Sequence, residues 1–169
     1  VSTSGRGNRI AAISGKDGAI VRIPKTTSPF GAGTFNQDPT ATRLNLDLVI
    51  PDSLLDTLRA IDQFAVQALS ADKKHYFSKE NIDVQSVYKS CICEHVKGEK
   101  VYSPTIRCKI NPTGSSAVRH WTPDRQLRDA PDDYRECFIE AMVVARSIYF
   151  MGGSCGIVFD ITDMIIHER

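Results

Sequence analysis

The stretch that decides the fold is residues 135–166, RECFIEAMVVARSIYFMGGSCGIVFDITDMII. It contains two long apolar runs joined by Gly152-Gly153, with a further glycine at Gly156. β-Branched and aromatic residues on both sides of paired glycines are typical of a β-hairpin, because a tight hairpin turn requires positive φ. The stretch brings no nucleophile, base or phosphate loop with it. It therefore predicts a buried hairpin in a sheet and favours a binding or structural domain over a catalyst.

Composition predicts one folded domain of nearly neutral charge. The chain has 169 residues, of which 41% are hydrophobic, and this is enough for a sizeable single core. Its 21 basic and 20 acidic residues give a net charge of +1. A strongly basic nucleic-acid protein would be further from balance, although a local basic stripe needs no excess overall. We expect a polar arm in residues 1–8 and a single domain in residues 9–169, with no membrane span.

The cysteines and the first residue give expectations about compartment. There are five cysteines, an odd and sparse set that does not resemble a disulfide framework. A reducing intracellular compartment is therefore favoured. The chain begins at Val1 rather than at methionine, which fits either a processed protein, for example of an organelle, or a shortened chain.

Shorter segments alternate apolar and polar residues, as half-buried strands do. In residues 43–50, Leu44, Leu46 and Leu48 alternate with polar residues. The same pattern predicts a hairpin in residues 9–23 that turns at residues 15–18, a strand in residues 90–96, and a strand in residues 101–111 with Ile106, Cys108 and Ile110 facing one way. Residues 97–99 would form the turn between the last two strands.

One long helix interrupts the strands. After Pro51, apolar residues recur at spacings of three and four up to Leu69, and Asp52 or Ser53 can cap the N-terminus. Ser78 is predicted to cap a shorter helical turn that ends near Tyr88. Residues 24–39 and 112–131 are predicted as long loops. About seven strands with one clear helix predict a mainly β fold, a closed or partly closed antiparallel barrel with inserted helices.

The residues that would suggest chemistry have unsuitable spacing. Cys91, Cys93 and His95 invite a zinc interpretation, but alternate strand residues lie about 6.5–7 Å apart, whereas zinc ligands need donor atoms within about 4 Å. We interpret Cys91 and Cys93 as small strand residues on one face. The serine in residues 153–156 is not followed by a helix, so it is not a nucleophile elbow. The sequence therefore predicts no enzyme, no cofactor and no metal.

Basic residues interleaved with aromatic ones are the remaining functional pattern. Single-strand binders use cations to follow phosphates and flat rings to stack on bases without demanding a sequence. The candidates for phosphate contact are Lys73, Lys74, Lys79, Lys100, Arg107 and Lys109, and those for stacking are Tyr76, Phe77, Tyr102 and Trp121. In the alternative interpretation, Tyr76 and Phe77 fill the core behind the helix and the lysines are ordinary surface.

The order of several motifs also resembles a known family. The motifs are Pro29-Phe30-Gly31, the strand with Leu44, Leu46 and Leu48, the pair Ile61-Asp62, the run YFSKE at residues 76–80, Val87-Tyr88, residues 98–110 and residues 149–153. Over about residues 18–166 the chain resembles the single-stranded-DNA-binding-like proteins of large eukaryotic DNA viruses. These are similar in turn to phage T7-type single-stranded DNA-binding proteins. The resemblance implies an OB-like barrel and binding of single-stranded nucleic acid.

Two functions follow as hypotheses. The first is non-enzymatic, sequence-tolerant binding of single-stranded DNA or RNA by the residues named above. The second is an accessory structural subunit of a large protein complex, for example in an organelle. Such a subunit would keep the barrel fold without binding DNA. The second would show a large exposed apolar patch, for which Phe30, Phe35 and residues 164–166 are the candidates.

Overall fold

Strands dominate the structure, a computed structural model that describes residues 2–3, 9–12, 19–33 and 43–169. The strands are β1 (Ser2–Thr3), β2 (Arg9–Ala12), β3 (Ala19–Thr27), β4 (Ala32–Gly33), β5 (Leu44–Val49), β6 (Tyr88–Lys89), β7 (Cys93–Lys97), β8 (Lys100–Ile110), β9 (Arg119–Trp121), β10 (Leu127–Arg128), β11 (Cys137–Met151) and β12 (Ser154–Glu168). The helices are α1 (Asp52–Ser70), α2 (Lys73–Phe77) and α3 (Val84–Val87), and a 3-10 turn covers Tyr134–Glu136.

The predicted terminal hairpin lies at the centre of the sheet. β11 and β12 are each 15 residues long. Cys137 lies opposite Glu168 at one end of the pair, and Met151 lies opposite Ser154 next to the turn. Gly152 and Gly153 form the turn with φ of 59° and 79°. These are left-handed values that glycine adopts without steric cost, and a tight hairpin turn of this kind matches the twist of its strands. The hairpin prediction is confirmed.

The other strands pair around this hairpin in a half-barrel. β3 and β2 pair antiparallel with successive parts of β11, while β6, β8 and β9 each pair in parallel with short parts of β12. β8 also pairs antiparallel with β5 and β7, and β5 with β4. The β11–β12 register shifts at Met142/Val143 and Ala145/Ser147, and such bulges bend a sheet. The predicted mainly β class with one long helix is confirmed.

The core fills the inner face of the curled sheet. Alternation in β5 and β8 buries Leu46, Leu48, Ile106, Cys108 and Ile110, as predicted. The buried stripe of α1, which includes Leu54 and Leu58, covers the same core. A second, smaller cluster joins the end of α1 and α3 to the distal part of the hairpin through Leu69, Val84, Tyr88 and Cys155. None of the described helices has both the length and the apolar character needed to cross a membrane.

The helix ends differ from the predictions. α1 begins after Pro51, and no side chain caps its N-terminus, although Asp52 or Ser53 was expected to do so. Ser78 does not start a helix but ends α2, in the left-handed region with φ of 58°. The N-cap of the next helix is Asp83, whose carboxylate accepts a hydrogen bond from the Gln85 amide at 3.2 Å. An aspartate serves this role as well as a serine, so the pattern alone could not choose between them.

The predicted loops contain more strand than expected. Residues 112–131 include β9 and β10, because Arg119–Trp121 pair in parallel with β12 and β10 pairs with β9. β3 runs on to Thr27, into the first predicted loop, and residues 34–39 of that loop lie outside the described residues. In the described part, β2 and β3 pair with β11 rather than with each other, and the expected turn at residues 15–18 is not described. Within the predicted N-terminal arm, Ser2–Thr3 pair with β2.

Candidate nucleic-acid interface

We call the face of the sheet that is turned away from the core the outer face. The inward and outward residues of β8 show which side this is. Because Ile106, Cys108 and Ile110 are buried, Arg107 and Lys109 project outward, as predicted. Residues directly opposite each other on antiparallel strands share a face. Asp47 of β5, which lies opposite Arg107, is therefore on this face as well.

The same face continues onto the β7–β8 hairpin. Cys93 lies opposite Thr105, and His95 lies opposite Tyr102, with one extra residue of β8 accommodated by a bulge between these pairs. Cys93 and His95 are alternate residues of one strand and share a face, so Tyr102 lies on the same side as Thr105 and Arg107. A hydrogen bond of 2.8 Å between His95 Nε2 and Thr105 Oγ1 agrees with this placement.

Aromatic and basic side chains meet on this face of the hairpin, and we call the group Phe30, His95, Lys97, Lys100 and Tyr102 the hairpin strip. Phe30 approaches His95 edge-on, with ring centroids 5.4 Å apart. Phe30 is 59% exposed and Tyr102 is 50% exposed. Lys97 and Lys100 are opposite each other and both exposed. Flat rings beside flexible cations are the combination that single-strand binding requires.

Arg107 has a structural partner. Its Nε and Nη2 donate to the two carboxylate oxygens of Asp47 at 2.9 and 3.3 Å, and the Asp47 side chain is almost fully buried. The hydrogen bond to Asp47 is the main reason that the pKa of Arg107 is raised. Removing this arginine would leave a buried carboxylate without its partner, which is costly. Arg107→Ala is therefore an unsuitable probe of binding.

Trp121 lies in a groove of about 650 Å³ on the outer face of β3, β9, β11 and β12. We call it the Trp121 groove. Pro24, Met142 and Ile165 supply apolar lining. Its basic residues are Arg22, Arg119 and Arg125, and its acidic residues are Glu140 and Asp163.

The ring of Trp121 is held in place by Asp163. Trp121 Nε1 donates to Asp163 Oδ1 at 3.0 Å, and Arg119 Nε lies 2.8 Å from the same oxygen. Burial raises the pKa of Asp163, but hydrogen bonds from Trp121 and Arg119 outweigh burial and lower it. The carboxylate is therefore ionised near neutral pH. The Arg119 guanidinium also lies 5.9 Å from the centre of the Trp121 ring.

The predicted residues of α2 lie elsewhere, on the side of the sheet that the helices cover. Tyr76 stacks on Phe150 at 6.2 Å, and Phe77 meets the same ring edge-on at 5.6 Å. Both rings are partly buried against the second core cluster, which is the packing that the alternative interpretation describes. Lys73, Lys74 and Lys79 belong to the same helical region. The ten predicted residues thus fall into two groups on different sides of the sheet.

Of the three residues considered as zinc ligands, Cys91 is separated from the other two. Cys91 precedes β7 and is buried, with its Sγ 3.6 Å from the Leu58 carbonyl oxygen, whereas Cys93 faces outward. The interpretation of both cysteines as strand residues on one face is therefore wrong, because the chain bends into β7 only after Cys91. Within the described residues, no group of three or more His, Cys, Asp or Glu could hold a metal ion. All five cysteines of the chain lie in the described part and are free.

Sequence reasoning missed Phe30, His95 and Lys97 as members of the hairpin strip. Phe30 is far from β7 in sequence, and only the tertiary fold brings it to His95. The cross-strand register could have identified Lys97 and His95, because they lie opposite the predicted Lys100 and Tyr102. Arg22 and Arg125 of the Trp121 groove were likewise missed, since they come from separate strands and loops.

No protein-family model matches the chain, and no curated protein matches it by sequence. Solved structures match it in fold. The single-stranded DNA-binding protein gp2.5 of bacteriophage T7 aligns with a TM-score of 0.58 at 11% identity, over 88% of this chain and 91% of that one. The single-stranded DNA-binding protein of bacteriophage Enc34, in complex with single-stranded DNA, aligns with a TM-score of 0.53 at 12% identity, over 92% and 93%.

These similarities confirm the predicted OB-like fold. The shared fold is that of phage single-stranded DNA-binding proteins of the T7 type, and nothing in these similarities supports the family of large eukaryotic DNA viruses. At such low identity the likeness concerns the fold, and function has to be argued from the surface.

Proposed function

We propose that this protein binds single-stranded nucleic acid along the outer face of its sheet, without sequence preference and without catalysis. The observation that supports this most directly is the hairpin strip, in which two exposed rings, a histidine and two lysines share one face. Bases would stack on Phe30 and Tyr102, and phosphates would contact Lys97 and Lys100. Stacking needs only the flat face that every base has, so little sequence preference is expected.

The distribution of charge supports the same face. The chain is nearly neutral, yet basic residues of the outer face extend from the hairpin strip to the Trp121 groove. They are Arg22, Arg43, Lys97, Lys100, Lys109, Arg119, Arg125 and Arg146. The acidic residues that line this face, Asp47, Glu140, Asp160 and Asp163, are fewer than these basic ones. On the helical side, acids such as Asp52, Asp56, Asp72, Glu80 and Asp83 are mixed with Arg59, Lys73, Lys74 and Lys79. A basic stripe on one side is sufficient to attract a polyanion, whatever the net charge.

The structural neighbours support single-stranded DNA as the ligand to propose. Both phage proteins are named as single-stranded DNA-binding proteins, and one was solved with single-stranded DNA bound. DNA is therefore the first ligand to test. Of the residues predicted from sequence, Lys100, Tyr102, Lys109 and Trp121 belong to the proposed surface. Lys73, Lys74 and Lys79 remain a second, independent prediction on the helical side.

The test is an anisotropy titration of a labelled oligo-dT of about 30 nucleotides, at about 50 and 200 mM salt. We expect Tyr102→Ala to weaken binding by about 1–3 kcal/mol, the contribution of one stacked base. Lys97→Ala with Lys100→Ala should weaken binding and lower the salt slope by about 0.7 for each phosphate that is no longer neutralised.

Two control variants make this test specific. Phe64→Ala removes a 72% exposed ring from α1 and should leave binding unchanged. Lys73→Ala with Lys74→Ala removes the same charge as the lysine pair of the hairpin strip, but from α2. If the α2 pair mattered and the hairpin pair did not, the proposed face would be wrong. No binding by the wild-type protein at low salt would contradict the function itself.

A structural role in a larger complex receives less support from its predicted apolar patch. Met164 and Ile166 are buried in the core as inward residues of β12, and so the expected patch at residues 164–166 is wrong. Phe35 lies outside the described residues. Phe30 is exposed, but it belongs to the hairpin strip.

Replacing oligo-dT by oligo-U in the same titration would decide between DNA and RNA.

A further inference from the structure

A cleft of about 310 Å³ opens on the outer face between β8 and β12. β8, which carries part of the hairpin strip, and β9, which carries Trp121, both pair with β12. The cleft therefore lies between the hairpin strip and the Trp121 groove. The cleft is lined by Arg43, Lys109, Asn111, Arg146, Asp160 and Thr162, among others. Three of these side chains are cationic, and among the described residues of the lining Asp160 is the one acid.

Two arginines converge on the carboxylate of Asp160. Arg43 Nη2 binds Oδ1, and Arg146 Nε lies 3.0 Å from Oδ2. The arginines come from opposite sides of the sheet order, Arg43 from the residue before β5 and Arg146 from β11, and Asp160 stands between them on β12. A single carboxylate cannot neutralise two guanidinium groups, so the cleft keeps a positive charge even before Lys109 is considered.

The hydrogen bonding of the cleft is incomplete. Arg43 Nε is buried, and it has no hydrogen-bond partner among the described residues. A buried guanidinium donor normally has an acceptor, because leaving it without one is costly. Arg43 and Arg146 are still 38% and 52% exposed along their side chains. An incoming anion can therefore reach both groups without unfolding the site.

We propose that this cleft is a phosphate subsite, in which Arg43 and Arg146 bind one phosphodiester group. When no ligand is present, the Asp160 carboxylate binds both guanidinium groups. The proposal rests on the proposed function, and it adds a site that joins the hairpin strip to the Trp121 groove. Arginine binds phosphate and carboxylate through the same forked geometry, so the ligand replaces the Asp160 carboxylate on the two arginines. Asp160 thereby weakens binding of the strand while it holds the arginines in position.

The proposal predicts opposite effects for two variants, measured with the oligo-dT titration. Arg146→Ala removes one phosphate contact and should weaken binding about tenfold and lower the salt slope by about 0.7. Asp160→Asn removes the competing carboxylate and should tighten binding about threefold or more, with a steeper salt slope. A purely structural role for Asp160 would give weaker binding instead.

Arg59→Ala is the matched control, because it removes an arginine that is 62% exposed and paired with an aspartate on α1. It should bind as the wild type does. Wild-type affinity in Arg146→Ala, or no tightening in an Asp160→Asn protein that melts cooperatively, would overturn the proposal. If Asp160→Asn does not fold, the comparison of Arg146→Ala with Arg59→Ala decides alone.

A second ligand separates this proposal from the proposed function. Inorganic pyrophosphate, titrated by calorimetry, tests the cleft without any base to stack. Pyrophosphate binding that disappears in Arg146→Ala would support the cleft even if oligo-dT failed to bind. If oligo-dT binds while pyrophosphate does not compete with it and Arg146→Ala has no effect, the cleft is overturned and the binding face survives.

Discussion

Asp62 is the residue that joins α1 to the segment before β7. Its carboxylate accepts hydrogen bonds from Tyr88 Oη at 2.7 Å and from the Cys91 amide at 3.0 Å, and it also binds the Ser90 hydroxyl. Burial and then the hydrogen bond to Asp62 raise the pKa of Tyr88, so its hydroxyl stays protonated as a donor. This one side chain therefore fixes where the chain enters the β7–β8 hairpin that presents the hairpin strip.

Asp62→Ala should lower the free energy of unfolding by about 2–3 kcal/mol, because it leaves the Tyr88 hydroxyl and the Cys91 amide without their acceptor. Urea unfolding followed by circular dichroism measures the change. Asp56→Ala is the control on the same helix, since the Asp56 side chain is 98% exposed and its pair with Arg59 contributes little. Equal stability of the two variants would contradict the role given to Asp62.

At the scale of elements, the distal half of the β11–β12 hairpin depends on a glycine. Gly156 is buried opposite Tyr149, and a Cβ placed on it would lie 2.9 Å from the Tyr149 ring. The ring thus covers the bare backbone of the glycine, an arrangement that compensates for a missing side chain in a strand. The hairpin also holds Phe150, on which α2 packs.

Gly156→Ala should destabilise the protein by about 1–3 kcal/mol through this overpacking. In a double-mutant cycle, Tyr149→Ala combined with Gly156→Ala should cost less than the sum of the single changes, because the clash disappears with the ring. Thermal unfolding of the four proteins measures the coupling. Additive effects would show that the Tyr149 ring moves aside freely. Gly33→Ala is a control, because its Cβ would meet nothing within 4 Å.

At the scale of the whole molecule, pH should act on stability through His120. This histidine is buried, and its Nε2 lies 2.8 Å from Tyr134 Oη. Burial, with a smaller contribution from Arg128, lowers the pKa of His120 below its ordinary value of 6.5. The unfolded chain therefore binds a proton more readily than the folded protein. The contribution of His120 to stability is complete above about pH 6.5 and is lost as the pH falls towards the lower folded value.

We expect the urea midpoint of the wild type to fall between about pH 7 and pH 5, and to fall less in His120→Gln, which cannot take up the proton. Glutamine can still form a hydrogen bond with Tyr134, so the comparison is between two folded proteins. The same fall in both would assign the pH dependence to other groups. His75, on α2 and exposed, provides the control variant His75→Gln.

Local patterns determined the elements whose neighbours follow one another in sequence. The alternation of Leu44, Leu46 and Leu48, the apolar stripe of α1 and the glycine turn at residues 152–153 are all present as predicted. In each case one buried face or one backbone conformation requires the residue types that the sequence shows. Short strands such as β9 could not be predicted, because β9 joins the sheet by pairing with β12, which lies far along the chain.

The sequence by itself determined a mainly β domain with one long helix, the inward and outward residues of β8, and the presence of aromatic and basic residues suited to a nucleic-acid strand. Only the tertiary structure decided which of them share a surface. It placed Tyr76 and Phe77 on Phe150, paired Arg107 with Asp47, and brought Phe30 to His95. The physical reason is that a side chain's partners depend on strand order and register, which long-range packing of the core selects and no local spacing encodes.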